Sequence, residues 1–271
     1  SGIDKITIEE VGKILSSSKG TIACWAMGLT QQPNGVAVIQ EVVNLLLMGG
    51  HVGKQGAGFC PVRGHSNVQG DRTVGIWEAP TDAFLDRMEE GLGFQMPRSH
   101  GYDVVNAIRA MRDNRVAVFF CMGGNFLSAT PDTKATAHGL RNVDLTVQVS
   151  TKLNRSHLVT GKTALILPCL GRTELDVQTK GKQFVTVENS MGLVHRSTGG
   201  LTPASPSLLS EPAIVARLAE ASLTVPHLDW LGLVEDYDAI RDLMEQSLHG
   251  FDGYNTRVRT DNGFALPNPP R

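Results

Sequence analysis

Excess positive charge, long apolar runs and paired cysteines are all missing from this sequence, and each absence closes off a class of function. Lys and Arg number 25 against 27 Asp and Glu, a net charge of −2, so the basic surface used in general nucleic-acid binding is lacking. No apolar stretch reaches the ~18 residues a membrane span requires. The opening residues lack the charged start, apolar core and small-residue cleavage site of a signal peptide. Cys24, Cys60, Cys121 and Cys169 are widely spaced with no CxxC among them, whereas zinc and Fe–S sites need clustered thiolates. A chain of this length has no need of disulfide staples. We therefore expect four buried free thiols in a reducing compartment, which makes the cytoplasm the expected location. GxGxxG and P-loop motifs are absent, which removes standard NAD or ATP binding. GxSxG and HExxH are absent too, which argues against an α/β-hydrolase and against a helical two-histidine metal site.

Glycine is what the chain has in plenty: 29 of its 271 residues, with 13 prolines and a 41% apolar share. The composition is globular, and the length suits one large domain or two ordinary ones. Helical patterning covers roughly residues 8–16, 34–48, 80–90, 102–113, 131–138, 156–163, 211–221 and 237–248. Asn34 and Thr81 are candidate N-caps, and Gly49 and Gly50 close the second helix. Apolar runs at 21–26, 116–120, 144–149, 164–167 and 184–187 read as strands. Strands separated by helices predict an α/β fold with a parallel, doubly wound, Rossmann-like sheet. The stretch 49–75 breaks this pattern with eight glycines and almost no periodicity, as a functional loop does. The proline-rich tail from Asn262 onward reads as an interdomain linker. Together with the missing initial Met, it leads us to expect a segment of a longer polypeptide.

Three loops follow predicted strands, where ligands sit in doubly wound sheets. The first holds Gly28, Thr30 and Gln31. The second holds Gly123, Gly124 and Asn125, where tandem glycines let a nucleotide approach the backbone and Asn125 can read a base or ribose edge. The third holds Ser150, Thr151, Lys152, Asn154 and Arg155, a set of donors suited to a pyrophosphate. Each of these, taken singly, also reads as an ordinary strand-to-helix turn. In the glycine-rich loop Arg63 is a candidate to present a fixed guanidinium to an oxyanion, and His65 to move a proton near neutral pH. The competing reading is a structural Arg63 bonded to backbone, with His65 at the surface. The other histidines are scattered and read as surface or satisfied groups.

Several segments together resemble the formate dehydrogenase-like branch of the molybdopterin-dependent oxidoreductases. They are Gly28-Leu29-Thr30-Gln31, residues 44–54, Gly56-Ala57-Gly58, Pro61-Val62-Arg63-Gly64 and Asn67-Val68-Gln69-Gly70, followed by residues 121–126, 151–157 and 167–174. The resemblance covers nearly the whole chain. It implies the central part of a formate dehydrogenase/DMSO reductase-type fold. It also implies a molybdenum (or tungsten) atom held by two molybdopterin guanine dinucleotides, and two-electron redox of a small-molecule substrate. By this match Arg63 is the arginine beside the metal, orienting an anionic substrate. His65 stands where those enzymes commonly carry glutamine, a departure that counts against formate itself. The loops with Gly28, Thr30 and Gln31, with Gly123, Gly124 and Asn125, and with Ser150, Thr151, Asn154 and Arg155 would line the guanine dinucleotide. The metal-ligating residue and any Fe–S cluster would lie outside this chain.

The expected organisation follows from the same match. Residues 1–65 end one α/β domain and run into the active-site loop, 66–260 form a second cofactor-binding domain, and 261–271 link to a missing C-terminal domain. The partners implied are the rest of its own polypeptide and an electron-transfer protein, and the isolated chain should be inactive. The alternative is a non-catalytic nucleotide-binding α/β module. A protein-interaction scaffold is the third reading, for which only the glycine-rich loop speaks.

Overall fold

The computed structural model of the chain describes residues 2–62, 65–189 and 191–267. They divide into two compact units, 1–68 and 69–271. In the first unit α1 (Lys5–Ser17) starts at Asp4, whose carboxylate accepts the Thr7 amide at 2.9 Å. Next come β1 (Ile22–Trp25), the short α2 (Met27–Thr30), α3 (Gly35–Met48) and β2 (Gly58–Pro61). β1 and β2 pair in parallel, Ile22 opposite Gly58 through Trp25 opposite Pro61. Gly35 is required where α3 begins, because a Cβ there would stand 2.8 Å from the Leu29 carbonyl oxygen. Asn34 occupies the N-cap position but makes no capping bond. Its φ of −100° and ψ of 19° depart from the extended backbone that aims a cap side chain at the free amides.

Helix α4 (Val68–Thr73) starts on the last residue of the first unit and continues into the second, where α5 (Asp82–Leu92) follows, capped by Thr81 as expected. The glycine-rich stretch is therefore not wholly irregular: it contains β2 and reaches α4. Strand β2 escapes local patterning because its partner, β1, is distant in sequence. After α6 (Val104–Arg112) come β3 (Val118–Met122), α7 (Phe126–Ala129), α8 (Thr133–Asn142), β4 (Leu145–Ser150) and β5 (Thr163–Pro168). The three strands make a parallel sheet in the order β3-β4-β5. Against it packs a core of Ile108, Met111, Leu127, Leu140 and Val143. Central β4 is buried along Thr146, Val147, Gln148 and Val149, while β5, at the edge, is exposed throughout. The helix expected at 156–163 is only one 3-10 turn, Arg155–Leu158. Gly161 lies against the Val143 carbonyl with no room for a Cβ, and the chain is already turning there to run beside β4.

The rest differs from a purely parallel sheet. A small hairpin of β6 (Val177–Gln178) and β7 (Gly181–Lys182) precedes an antiparallel sheet. That sheet has β9 (Leu193–Ser197) at its centre, between β8 (Val185–Glu188) and β10 (Phe264–Ala265). Helices α9 (Glu211–Ser222), α10 (Trp230–Glu235), α11 (Tyr237–Ser247) and α12 (Tyr254–Arg257) fill the interval. Val194, Phe251, Tyr254, Val258, Phe264 and Leu266 share a second core. The tail read as a linker is thus packed through Leu266, because Phe264 and Leu266 find apolar cover. Asn268 and the residues after it lie outside the described set. Among the described residues no helix is long and apolar enough to cross a membrane.

Candidate functional site

The parallel register brings the ends of β3, β4 and β5 to one edge, with Met122 opposite Val149 and Ser150 opposite Pro168. Two of the predicted loops therefore leave the sheet side by side. Gly123 donates its amide to the Val149 carbonyl at 2.9 Å. It and Gly124 have φ of +68° and +67°, a left-handed conformation costly for any residue with a Cβ. A Cβ built at Gly124 meets nothing within 4 Å, so the backbone is open there to an approaching group.

Side chains tie the two loops together. Asn154 Nδ2 donates to the Gly124 carbonyl at 2.8 Å, and Ser156 Oγ donates to Asn125 Oδ1 at 2.7 Å. Ser156 Oγ also accepts the Leu127 amide at 3.0 Å. Asn154 Oδ1 accepts the Ser156 amide at 2.9 Å, while His157 Nδ1 accepts the Asn154 amide at 3.0 Å, which closes a capping box. Gln148 Nε2 reaches the Ser156 carbonyl at 2.9 Å from the buried strand. Ser150 Oγ donates to the Lys152 carbonyl at 2.7 Å. Ser150, Asn154 and Ser156 thus spend hydrogen bonds on shaping the edge. Thr151, Lys152 and Arg155 are exposed and form no side-chain hydrogen bond or ion pair with described residues.

Sequence reasoning missed the acidic side of this edge. Glu211, one residue into α9, has a carboxylate oxygen 4.0 Å from the position of a Gly123 Cβ. The residue is exposed as a whole, yet its carboxylate sits deep enough for desolvation to raise its pKa. Glu174 accepts the Gly171 and Ala204 amides at 2.6 and 2.9 Å, and these bonds lower its pKa. Between them lies Cys169, whose thiol is pushed up to about 11 by burial first, then by Glu211 and Glu174. Glu174 belonged to a segment already singled out by resemblance; Glu211 follows a loop with no pattern of its own. His157 lies in the segment 151–157 singled out by resemblance but reads from sequence as a surface or satisfied histidine; it is buried, and its Nε2 has no partner among the described residues.

The remaining predicted residues belong to the first unit. Gly28, Thr30 and Gln31 are exposed on and just after α2, at the end of β1. Thr30 Oγ1 donates to the Met27 carbonyl at 3.2 Å, and Gln31 Nε2 lies 3.8 Å from Met27 Sδ. His65 is exposed; Arg63 lies outside the described residues. The histidine that is buried here is His51, with Nε2 3.4 Å from both Thr21 Oγ1 and the Leu15 carbonyl. The cysteines do not match the expectation of four buried thiols. Only Cys169 is buried; Cys121 is half-buried, and Cys24 and Cys60 are exposed, because β1 alternates exposed and half-buried residues and β2 is exposed from Phe59 to Pro61. No group of three or more metal-ligating side chains occurs among the described residues.

The chain is 55% identical over all 271 residues to an uncharacterized oxidoreductase of Mycobacterium tuberculosis. It is 48% identical over 268 residues to protein YdeP of Escherichia coli K12. A more distant relative is YrhE of Bacillus subtilis, provisionally named a formate dehydrogenase, at 26% identity over 98% of this chain and 28% of that protein. The chain spans 35% of the length of the first two. A family model described as molybdopterin oxidoreductase matches residues 8–159, a span that holds all of the predicted site positions. With more than half of its length matched by that model, the chain belongs to the molybdopterin oxidoreductase family.

Proposed function

We propose that this chain is the central cofactor-binding region of an enzyme that carries out two-electron redox of a small substrate. Molybdopterin guanine dinucleotide carrying Mo (or W) would be held across its strand-end loops. The observation that carries the reading is the edge where the Gly124 carbonyl and Asn125 Oδ1 accept hydrogen bonds from Asn154 and Ser156. The donor set there fits a guanine dinucleotide. Open left-handed glycines allow close approach, Arg155, Lys152 and Thr151 offer unengaged donors to phosphate oxygens, and the Glu211 carboxylate can accept from a base edge. Asn125 keeps its Nδ2 free of other described groups, while Asn154 and Ser150 shape the loop around the ligand. Gly28, Thr30 and Gln31 are assigned to the cofactor by resemblance.

When bound, the group supplies a metal that exchanges electron pairs with substrate. The chain's own residues bind and orient. Arg63 would hold an anionic substrate, and His65 would move a proton near neutral pH. The first unit would be the end of one α/β domain and the second unit the next. The enzyme would work in the cytoplasm with the rest of its polypeptide and an electron-transfer partner. Any Fe–S cluster would be carried elsewhere.

Metal analysis and substrate-dependent dye reduction on the full-length protein test this reading. Mo or W at stoichiometric level, with dye reduction lost in Arg63→Ala, is the expected result. A protein that binds guanine nucleotide without metal would instead be a non-catalytic nucleotide-binding module. Unchanged kcat/KM in Arg63→Ala would remove that residue's assigned role.

A further inference from the structure

Cys24 and Cys60 are far apart in sequence but face each other across the first unit's parallel ladder. Their register is flanked on both sides, by Ala23 opposite Phe59 and by Trp25 opposite Pro61. The Val62 amide bonds to the Trp25 carbonyl at 2.7 Å, so the pairing continues past the cysteines. Neighbouring strands run about 4.7–4.9 Å apart, inside the Cα separations of about 4.4–6.8 Å that a disulfide accepts. Paired residues on adjacent strands project from the same face, and both thiols are exposed. Cys121, whose thiol donates to the Gly123 carbonyl at 3.5 Å, is half-buried, and Cys169 is buried.

We infer that Cys24 and Cys60 form a reversible disulfide site, oxidised by small-molecule disulfides of the glutathione class. Desolvation, then the charge of Cys60 and a hydrogen bond to it, raise the pKa of Cys24, which disfavours Cys24 as the initial attacking thiolate. The Cys60 thiolate forms a bond to one sulfur of the external disulfide and expels the other as a thiol. Cys24 then gives up its proton and attacks Cys60 Sγ, which expels the second external thiol. Two protein thiols lose two electrons, the external disulfide gains them, and the two protons leave on the released thiols. The product ties β1, which leads to Gly28, Thr30 and Gln31, to β2, which leads toward His65.

The test equilibrates the full-length protein with defined ratios of reduced and oxidised glutathione, traps it with acid, alkylates it and maps peptides by mass spectrometry. A linked Cys24–Cys60 peptide should rise with the oxidised fraction and disappear on addition of dithiothreitol. Cys24→Ser should stop at a mixed disulfide between Cys60 and glutathione. The substitution is at an exposed position, and circular dichroism checks that the variant folds. Two results would overturn the assignment: no linked peptide at any ratio, or Cys60 carrying the same mixed disulfide in wild type as in Cys24→Ser.

Discussion

Ile6 and Ile14 of α1 are 70% and 67% exposed, whereas Met111 and Leu140 of the second unit are each 1% exposed. The two regions have equally legible helices and opposite fates for their apolar faces. In the second unit α6 and α8 pack on each other and share a core with Phe119 of β3, and their apolar stripes close that core. In the first unit α1 has no buried residue, and α3 buries Leu46 while leaving Val36 and Met48 in water. Amphipathic spacing thus states which face wants cover and is silent on whether the cover belongs to the same stretch of chain. The strand ends show the same division: the second unit's loops are locked by side-chain hydrogen bonds, and those of the first are held mainly by backbone.

Four substitutions probe that contrast, in falling order of effect on stability. Leu140→Ala opens a cavity in the filled core and should cost about 2–5 kcal/mol, read by chemical denaturation. Asp238→Asn should cost about 1.5–3 kcal/mol, because buried Arg241 loses its carboxylate partner and is left with Asn255, the Phe184 carbonyl and the Phe184 ring. Desolvation pulls the Asp238 pKa up, but the bonds from Arg259 and Arg241 outweigh it, so the folded value is lowered. The stabilisation is therefore fully present above the unfolded carboxylate pKa of about 3.9, and it is lost as pH falls through the lower folded value. The gap between wild type and Asp238→Asn should hold from neutral pH to about 5 and close on further acidification.

Ser156→Ala strands the Leu127 amide and releases Asn125. It should cost about 1–2 kcal/mol and speed amide exchange at 123–127 more than elsewhere. Ile14→Ser removes an apolar group already in water and should change stability by less than about 0.5 kcal/mol in this chain. A cost for Ile14→Ser comparable to that of Leu140→Ala would erase the contrast.

Much of the fold was legible in the sequence because its signals are local. Thr81 caps α5 as expected, and the apolar runs at 116–120 and 144–149 contain most of β3 and β4. The glycines at the end of β3 marked a backbone that leaves the allowed region for other residues. What escaped notice depends on pairing between distant segments. Strand β9 carries His195 and Arg196 in its middle, and only its neighbours β8 and β10 make it a strand. The Cys24–Cys60 juxtaposition is a matter of register, which spacing along the chain does not encode. Glu211 reaches Gly123 because α9 returns to the sheet edge. Arg63, the residue most strongly marked by resemblance, lies outside the described residues.

The edge formed by residues 123–125 and 150–156 is the proposed seat of the cofactor's nucleotide. Its most direct test is guanine nucleotide and metal content per chain in the full-length protein, comparing wild type with Arg155→Ala and Gly124→Val. Arg155 bonds to no described residue, so its loss should leave the fold intact while content of both falls severalfold, and Gly124→Val should lower it further. Unchanged nucleotide and metal in both variants would contradict the account.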